Sequence, residues 1–314
     1  MMNMEHQNTF NDFAESTLLP FAEQFPIQFI QGKNKCHLAY RHFKHSPLSS
    51  KLVVLVNGRA ENILKWTEPA WEFFQKGYDV LVVDHRGQGC SQRLLKNRHK
   101  GYVDEFRFYV DDLNILMKNF KKEFHYDQEF MVGHSLGALI SAFYLANCDH
   151  DIKKAVFVAP FFEMPSKHPI RDAFMVNLML ILGQGDRYIF GQTNYVPRDP
   201  ENNTLSHSKD RIVWQNTLMD RFPNLALGGV TFRWAHLCWQ AHHSLPTILG
   251  RIEIPVEVFE AGEEQVVSNA HLKEFVELLP NGTLKKMPHA KHEILFEEDT
   301  IRDEAFNEIF KFFA

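Results

Sequence analysis

The sequence lacks the long apolar runs, the paired cysteines and the excess of positive charge that would place it in several large protein classes. Its longest apolar run, Ala173 to Gly183, falls well short of the roughly 18 apolar residues that span a bilayer. The net charge of -5 disfavours nucleic acid as a partner. No CxxC pair or metal-ligand spacing is present, so we expect free thiols in a reducing compartment at all four cysteines: Cys36, Cys90, Cys148 and Cys238.

The first 25 residues show no basic segment followed by an apolar stretch, so we expect no signal peptide. The expected location is therefore cytoplasmic, with peripheral contact to the inner face of the membrane as an alternative. Apolar residues make up 45% of the 314 residues and charged residues 23%, as in an ordinary globular protein. This length accommodates one large α/β domain with an insertion.

From Lys51 onward, β-branched runs alternate with helical patterns at short spacing. The runs KLVVLV, YDVLVV, QEFMV and KKAVFV lack polar alternation, which is typical of strands buried on both faces. A hairpin precedes them at residues 26–45, and a helix is expected over residues 61–77 between the first two runs. The alternation predicts an α/β protein with a mostly parallel central sheet flanked by helices.

The alternation stops at residue 162 and resumes at residue 250. The intervening residues are rich in helical patterns and contain no buried-strand run. Strand, helix, strand and helix patterns then follow, beginning with IPVEVFEAG. We therefore predict a core formed by residues 1–161 and 250–314, with residues 162–249 inserted as a helical lid.

The stretch GHSLG places Ser135 between an apolar run and a helical run of small residues. A serine at a tight strand-to-helix turn has its hydroxyl exposed, and flanking glycines allow the close backbone approach that this turn requires. The alternative is an ordinary tight turn. The position after a buried strand of a parallel sheet favours a nucleophilic serine.

A nucleophilic serine needs a histidine base and a carboxylate that orients it, and in such a sheet they follow in the order serine, acid, histidine. The last strand pattern is followed by His289 and His292, of which His292 lies nearer the final helix. The preceding strand is followed by Glu263 and Glu264, and position alone barely separates these two.

An oxyanion hole needs two backbone N–H groups directed at the developing negative charge. One is expected from Leu136, which follows the nucleophile, and the other from Arg59 in the loop NGRAEN. Chemistry of this type requires no metal and no organic cofactor.

Two segments suggest lipid as a substrate, each with a structural alternative. The stretch from Arg171 to Gly191 is apolar and contains methionine, which suits an adaptable acyl channel but also a helix packed on the core. A basic run could bind a phosphate or an anionic membrane, or be a solvated loop: Arg93, Lys96, Arg98 and Lys100.

The segments DHRGQGCSQRLL, GHSLGALIS, GGVTFRW, GEEQVVSN and KHEILFEED together resemble the bacterial lysophospholipase L2 group. That group lies within the monoacylglycerol lipase-like branch of the α/β-hydrolases. The resemblance implies an α/β-hydrolase fold with Ser135 as nucleophile, His292 as base and Glu264 as acid. Two positions depart from the wider branch, which commonly has Asp at position 264 and His-Gly where this chain has Asn57-Gly58.

The resemblance also implies an activity, namely hydrolysis of the single acyl ester of a lysophospholipid. A monoacylglycerol lipase or general carboxylesterase with the same three residues is the alternative within this chemistry. A non-catalytic binding protein on the same fold is the alternative of another class. The expected partner is accordingly a lysophospholipid or monoacylglycerol substrate, with no nucleic acid.

Overall fold

The computed structural model describes residues 7–314 and contains one eight-stranded sheet. The order across the sheet is β1-β2-β4-β3-β5-β6-β7-β8. The pairs β1/β2 and β2/β4 are antiparallel, and every other neighbouring pair is parallel. The strands are β1 (Gln28–Gln31), β2 (His37–Phe43), β3 (Lys51–Val56), β4 (Asp79–Val83), β5 (Gln128–His134), β6 (Ile152–Val158), β7 (Val256–Ala261) and β8 (Gly282–Met287).

Eleven helices in the described chain accompany the sheet. Those before the insertion are α1 (Gln7–Phe13), α2 (Leu19–Glu23), α3 (Thr67–Gln75), α4 (Arg107–Phe120) and α5 (Leu136–Asn147). The others are α6 (Pro169–Ile181), α7 (Lys209–Arg221), α8 (Phe232–Ser244), α9 (Pro246–Leu249), α10 (Leu272–Glu277) and α11 (Asp299–Phe313). This architecture is the α/β-hydrolase fold, which confirms the predicted fold class.

Two apolar cores cover the two faces of the sheet. Side chains of α4, α5, α8 and α9 pack on one face, and side chains of α2, α3 and α11 pack on the other. The central strands β3 and β4 are buried on both faces because they carry continuous Val and Leu runs. The paired residues Val56↔Gly133 and His134↔Val158 bring the carboxyl ends of β3, β5 and β6 to one edge of the sheet.

Helix α3 begins at Thr67 rather than at residue 61, so the helix predicted over residues 61–77 was too long. The side chain of Asn62 explains the late start, because its Oδ1 accepts the N–H groups of Leu64 and Lys65 at 3.0 Å each. Such a local bond competes with the helical hydrogen bonds of the same residues. The helices α1 and α2 were not predicted. The first six residues of the predicted N-terminal part lie outside the described residues.

The inserted segment is uneven in its burial. Helix α6 has no buried residue, whereas α8 and α9 contribute Cys238, Leu245 and Leu249 to the main core. The domain boundaries at residues 161 and 249 stay predictions. Within residues 7–314, no helix combines the length and the apolar character needed to cross a bilayer.

Candidate active site

Ser135 forms the turn between β5 and α5 in a backbone conformation that side chains rarely adopt. Its φ is 52° and its ψ is -116°. This strain costs on the order of 1–3 kcal/mol and persists only where the surroundings hold it. Here the Ser135 N–H donates to the carbonyl of Val158 at 3.0 Å, and the Ser135 carbonyl accepts from Phe161 at 3.1 Å. Both bonds fix the serine at the carboxyl end of the sheet.

The two glycines of GHSLG occupy positions where a side chain would meet backbone. A Cβ atom on Gly137 would lie 1.9 Å from the carbonyl oxygen of Val56. A Cβ atom on Gly133 would lie 2.8 Å from the Cα of Ala138. The helix can therefore start against β3 only if both residues lack a side chain, as the sequence argument proposed.

Ser135, His292 and Glu264 form a continuous chain of hydrogen bonds. Ser135 Oγ lies 3.0 Å from His292 Nε2, and His292 Nδ1 lies 2.8 Å from Glu264 Oε2. The other oxygen of Glu264 accepts the N–H groups of Val266 at 2.7 Å and Val267 at 3.2 Å. The carboxylate is therefore held from both sides and directs the imidazole at the serine.

Sequence position left two candidates for the base and two for the acid. The structure places one of each, His292 and Glu264, in the hydrogen-bonded chain with Ser135. His289 is exposed, and Glu263 points to His207, with its Oε2 at 3.2 Å from His207 Nε2. Burial alone would raise the pKa of Glu264, but its bonds to His292 and to two backbone N–H groups lower it below the usual range. Glu264 is therefore ionised at neutral pH and suited to face an imidazolium.

The loop that contains Arg59 lies against Ser135. A Cβ atom on Gly58 would lie 3.2 Å from Ser135 Cβ, so this loop reaches the serine as predicted. Within residues 7–314, the backbone N–H groups of Arg59 and Leu136 make no hydrogen bond. Leu136 is the first residue of α5, where N–H groups lack helical partners and the helix dipole favours negative charge. Both N–H groups are thus available to an oxyanion.

A buried charged network behind these residues escaped the sequence argument. Glu61 Oε1 binds Lys65 Nζ at 2.5 Å, and Lys65 Nζ also binds Glu293 Oε1 at 2.8 Å. Glu61 Oε2 binds His134 Nδ1 at 3.0 Å, while His134 Nε2 lies 3.1 Å from the carbonyl oxygen of His292. The network consequently connects to the backbone of the predicted base.

The same carboxylate supports the oxyanion loop. Glu61 Oε2 accepts the N–H of Gly58 and, at 3.0 Å, the indole N–H of Trp66. Burial would raise the pKa of Glu61, but the charges of Lys65 and His134 lower it well below its usual value. Burial would likewise lower the pKa of His134, but Glu61 raises it. The oppositely charged Glu61 and Lys65, four residues apart in NGRAENILKW, are the sequence signal that could have indicated this network.

The inserted segment is bonded to the loop that contains His292. Six hydrogen bonds of the described chain join residues 203–207 to residues 291–297, which we call the base loop. They are Glu293 N to Leu205 O at 2.8 Å, Ser206 Oγ to Phe296 O at 2.8 Å and to Glu297 Oε2 at 3.4 Å, His207 N to Glu297 Oε2 at 2.9 Å, His207 Nδ1 with Glu297 Oε1 at 3.0 Å, and Lys291 Nζ to Asn203 O at 3.1 Å. The predicted base is thus positioned partly by the insertion.

Within the basic run that follows the second parallel strand, Arg93 has a structural role. Its guanidinium donates to carbonyl oxygens at 2.8 to 3.3 Å, those of Gly87, Arg98, Asn224, Leu225 and Ala226. Because these bonds occupy Arg93, it connects two loops and is not directed at a ligand.

Comparisons with known proteins identify the family to which the chain belongs. A family model described as serine aminopeptidase, S33, matches residues 48–299. The chain is 48% identical over 294 residues to the probable lysophospholipase L2 of Haemophilus influenzae, covering 93% of each protein. It is 29% identical over 319 residues to the lysophospholipase L2 of Escherichia coli K12, covering 98% of this chain and 93% of that protein.

Solved structures similar to this one show the same fold at low sequence identity. A soluble variant of monoglyceride lipase from Saccharomyces cerevisiae, in complex with a substrate analog, superimposes with a TM-score of 0.72 at 18% identity, covering 92% of this chain and 94% of that one. A carboxyl esterase from Bacillus coagulans superimposes with a TM-score of 0.74 at 18% identity, covering 92% and 97%. The chain therefore belongs to the serine aminopeptidase S33 family of α/β-hydrolases, and within it to the group of lysophospholipase L2-like serine hydrolases.

Proposed function

We propose that the protein hydrolyses the acyl ester of lysophospholipids through Ser135, His292 and Glu264. The observation that supports this most strongly is the hydrogen-bonded chain from Ser135 Oγ to Glu264 on a strained turn with two free N–H groups beside it. The same arrangement disfavours a purely binding role, because a strained serine aligned with a histidine and a carboxylate has no evident use there. The names of the sequence relatives supply the substrate class.

The proposed reaction has two steps with an acyl-enzyme between them. His292 Nε2 takes the proton of Ser135 Oγ as the oxygen attacks the ester carbonyl, and the N–H groups of Arg59 and Leu136 bind the oxyanion. The bond to the glycerol oxygen then breaks, and His292 returns the proton to that oxygen. Water attacks the acyl-enzyme in the same manner and releases the fatty acid. Glu264 stabilises the imidazolium in both steps.

The surface of α6 supports contact with lipid. Ile170, Phe174 and Ile181 are exposed by 87%, 64% and 83%, and their spacing places them on one face of the helix. Large apolar side chains gathered on one exposed face often mark an interaction surface. This face would meet a membrane or a lipid aggregate from one side, and a cytoplasmic location at the inner face of the membrane stays part of the proposal.

The test measures fatty-acid release by the purified protein from lysophosphatidylcholine, lysophosphatidylethanolamine and monoacylglycerol. We expect release from the lysophospholipids to be fastest and to be lost in Ser135→Ala, whose fold is checked by circular dichroism. Faster release from monoacylglycerol would replace the substrate and keep the three residues. Release that persists in Ser135→Ala would refute the assigned nucleophile.

A covalent probe tests the reactivity of Ser135 independently of which substrate the protein hydrolyses. A fluorophosphonate should label the wild-type protein at Ser135 and leave Ser135→Ala unlabelled. An unlabelled wild-type protein with intact fold would favour the binding role over the enzymatic one.

A further inference from the structure

Two arginines lie close in the chain or through one hydrogen-bonded residue to the reacting groups, and within residues 7–314 neither forms an ion pair with a carboxylate. Arg59 directly follows Gly58, which packs against Ser135. Its guanidinium donates from Nη1 to the carbonyl oxygen of Gly228 at 2.8 Å and lies over the ring of Trp234 at 5.8 Å. Neither of these partners is charged, so the positive charge of Arg59 is not neutralised by them.

Arg198 lies on the other side, next to the base. Its Nη1 donates to Gln215 Oε1 at 2.9 Å, and Gln215 Nε2 donates to Glu293 Oε2 at 2.9 Å. Glu293 directly follows His292 in the base loop. One glutamine therefore separates the guanidinium of Arg198 from the residue after the predicted base.

The two positive charges act on each other. Burial, followed by the charge of Arg198, lowers the pKa of Arg59 to about 10. The other groups that affect it are Tyr109 and Cys238, and burial raises the pKa of both, so neither carries charge at neutral pH. An arginine remains protonated at neutral pH even with this lowered pKa, so both guanidinium groups carry a positive charge.

The two carboxylates of the buried network already face cations. Burial would raise the pKa of Glu293, but the charges of Lys65 and Arg198 lower it. Glu61 and Glu293 share Lys65, and Glu61 also pairs with His134. Two negative and two positive groups thus balance within the buried network. The two arginines add two further positive charges to this balanced set. A partly buried cation is stabilised when an anion pairs with it.

Most of the hydrogen-bonding capacity of both guanidinium groups is unused. Arg59 and Arg198 each direct one Nη1 at a protein acceptor, and within residues 7–314 their other side-chain N–H groups make no hydrogen bond. Both residues are partly exposed to solvent. The planar fork of arginine fits the oxygens of a phosphate with two parallel hydrogen bonds.

We propose that Arg59 and Arg198 bind the phosphate diester of the substrate headgroup while the acyl ester lies at Ser135. This assignment rests on the proposed function and specifies that its substrate carries an anionic phosphate diester. The glycerol of a lysophospholipid joins the ester to the phosphate, so the two groups must be recognised close together. The pair would give selectivity for lysophospholipid over monoacylglycerol, which has a hydroxyl in place of the phosphate.

The test measures binding in the Ser135→Ala protein, so that it does not depend on turnover. A short-chain lysophosphatidylcholine, kept below its micelle concentration, and the monoacylglycerol of the same chain length are titrated by calorimetry. Arg198→Gln should weaken binding of the lysophosphatidylcholine about tenfold, as expected for a lost charge-assisted hydrogen bond. Binding of the monoacylglycerol should change much less, so the ratio of the two affinities should fall.

Two further variants keep the result interpretable. Arg198→Lys retains the charge but not the fork, and should lie between wild type and Arg198→Gln. Arg171→Gln removes an arginine from the exposed helix α6, where it pairs with Asp172, and should leave the ratio unchanged. Equal weakening of both ligands in Arg198→Gln, or an equal loss in Arg171→Gln, would overturn the proposal.

Hydrolysis by the unsubstituted protein separates this inference from the proposed function. If the protein releases no fatty acid from any substrate, the proposed function fails and the binding ratio still decides the role of the arginines. If it hydrolyses lysophosphatidylcholine and the ratio does not move, the proposed function stands and the assignment of the phosphate fails.

Discussion

Replacing Glu61 by Gln tests whether the buried network both stabilises the fold and positions the reacting groups. The carboxylate accepts hydrogen bonds from Gly58, Lys65, Trp66 and His134. The side-chain oxygen of glutamine can take the place of Glu61 Oε2 and accept hydrogen bonds from Gly58, Trp66 and His134. Its amide group would then face Lys65 Nζ, which is also a donor, and the negative charge would be lost.

We expect Glu61→Gln to lower the free energy of unfolding by about 3 kcal/mol. Removing one partner of a buried ion pair costs about 3–5 kcal/mol. Lys65 keeps Glu293 at 2.8 Å, which places the loss at the lower end of that range. Catalysis should also fall by at least about tenfold, because the loop of Arg59 and the carbonyl of His292 both lose support.

Urea unfolding measures the first effect, and hydrolysis of a soluble p-nitrophenyl ester measures the second. Glu68→Gln is the matched control, because Glu68 is equally buried and pairs with Arg211 and Arg302 without contacting the network. It should lose comparable stability and retain its activity once folded. A Glu61→Gln protein within about 0.5 kcal/mol of wild type, or one as active as Glu68→Gln, would refute the reasoning.

Four further results are expected from the same contacts. Glu61 raises the pKa of His134 above the value of 6.5 that this histidine has in the unfolded chain. Their pairing therefore stabilises the fold fully below pH 6.5, and this stabilisation is lost as the pH rises through the raised pKa of His134 in the folded protein. The destabilisation by Glu61→Gln in urea should thus be smaller at about pH 9 than at about pH 6. Glu264→Gln should lower kcat for the soluble ester at least about a hundredfold, whereas Glu264→Asp should retain more activity. Ser135→Gly should have a free energy of unfolding about 1 kcal/mol higher than that of Ser135→Ala in urea unfolding, because glycine accepts the positive φ at this position. Gly137→Ala should lower the free energy of unfolding, measured in urea, by about 2–3 kcal/mol, because the added Cβ would clash with the carbonyl oxygen of Val56.

The strands and the strained turn at Ser135 were predictable because their signals are local. Continuous apolar runs indicate buried parallel strands, and the glycines around Ser135 meet a steric requirement of that one turn. The order of the chain then limited the base and the acid to two neighbours each. The final choice of Glu264 over Glu263 depends on which residue of a loop turns inward, and sequence position does not determine that direction.

The buried network was not predictable from any single segment. Glu61, Lys65, His134 and Glu293 come from three separated parts of the chain, and each alone resembles an ordinary charged surface residue. Only the pairing of strand ends brings them together behind the serine. The late start of α3 was missed for a related reason, because the side chain of Asn62 competes with a helix that the apolar spacing favours.

The hydrogen bonds between residues 203–207 and the base loop affect how the protein could be rebuilt. An engineer who exchanges the whole insertion for that of another hydrolase would also remove the acceptor for Glu293 N and the donors to Phe296 O and Glu297. The residue before Glu293 is His292, so such a chimera would alter reactivity as well as substrate choice. An exchange that ends before Asn203 and resumes after Ser208 would leave the histidine anchored. For grafting, the insertion therefore has two parts. Residues 203–208 must stay with the core, and the remainder can be exchanged.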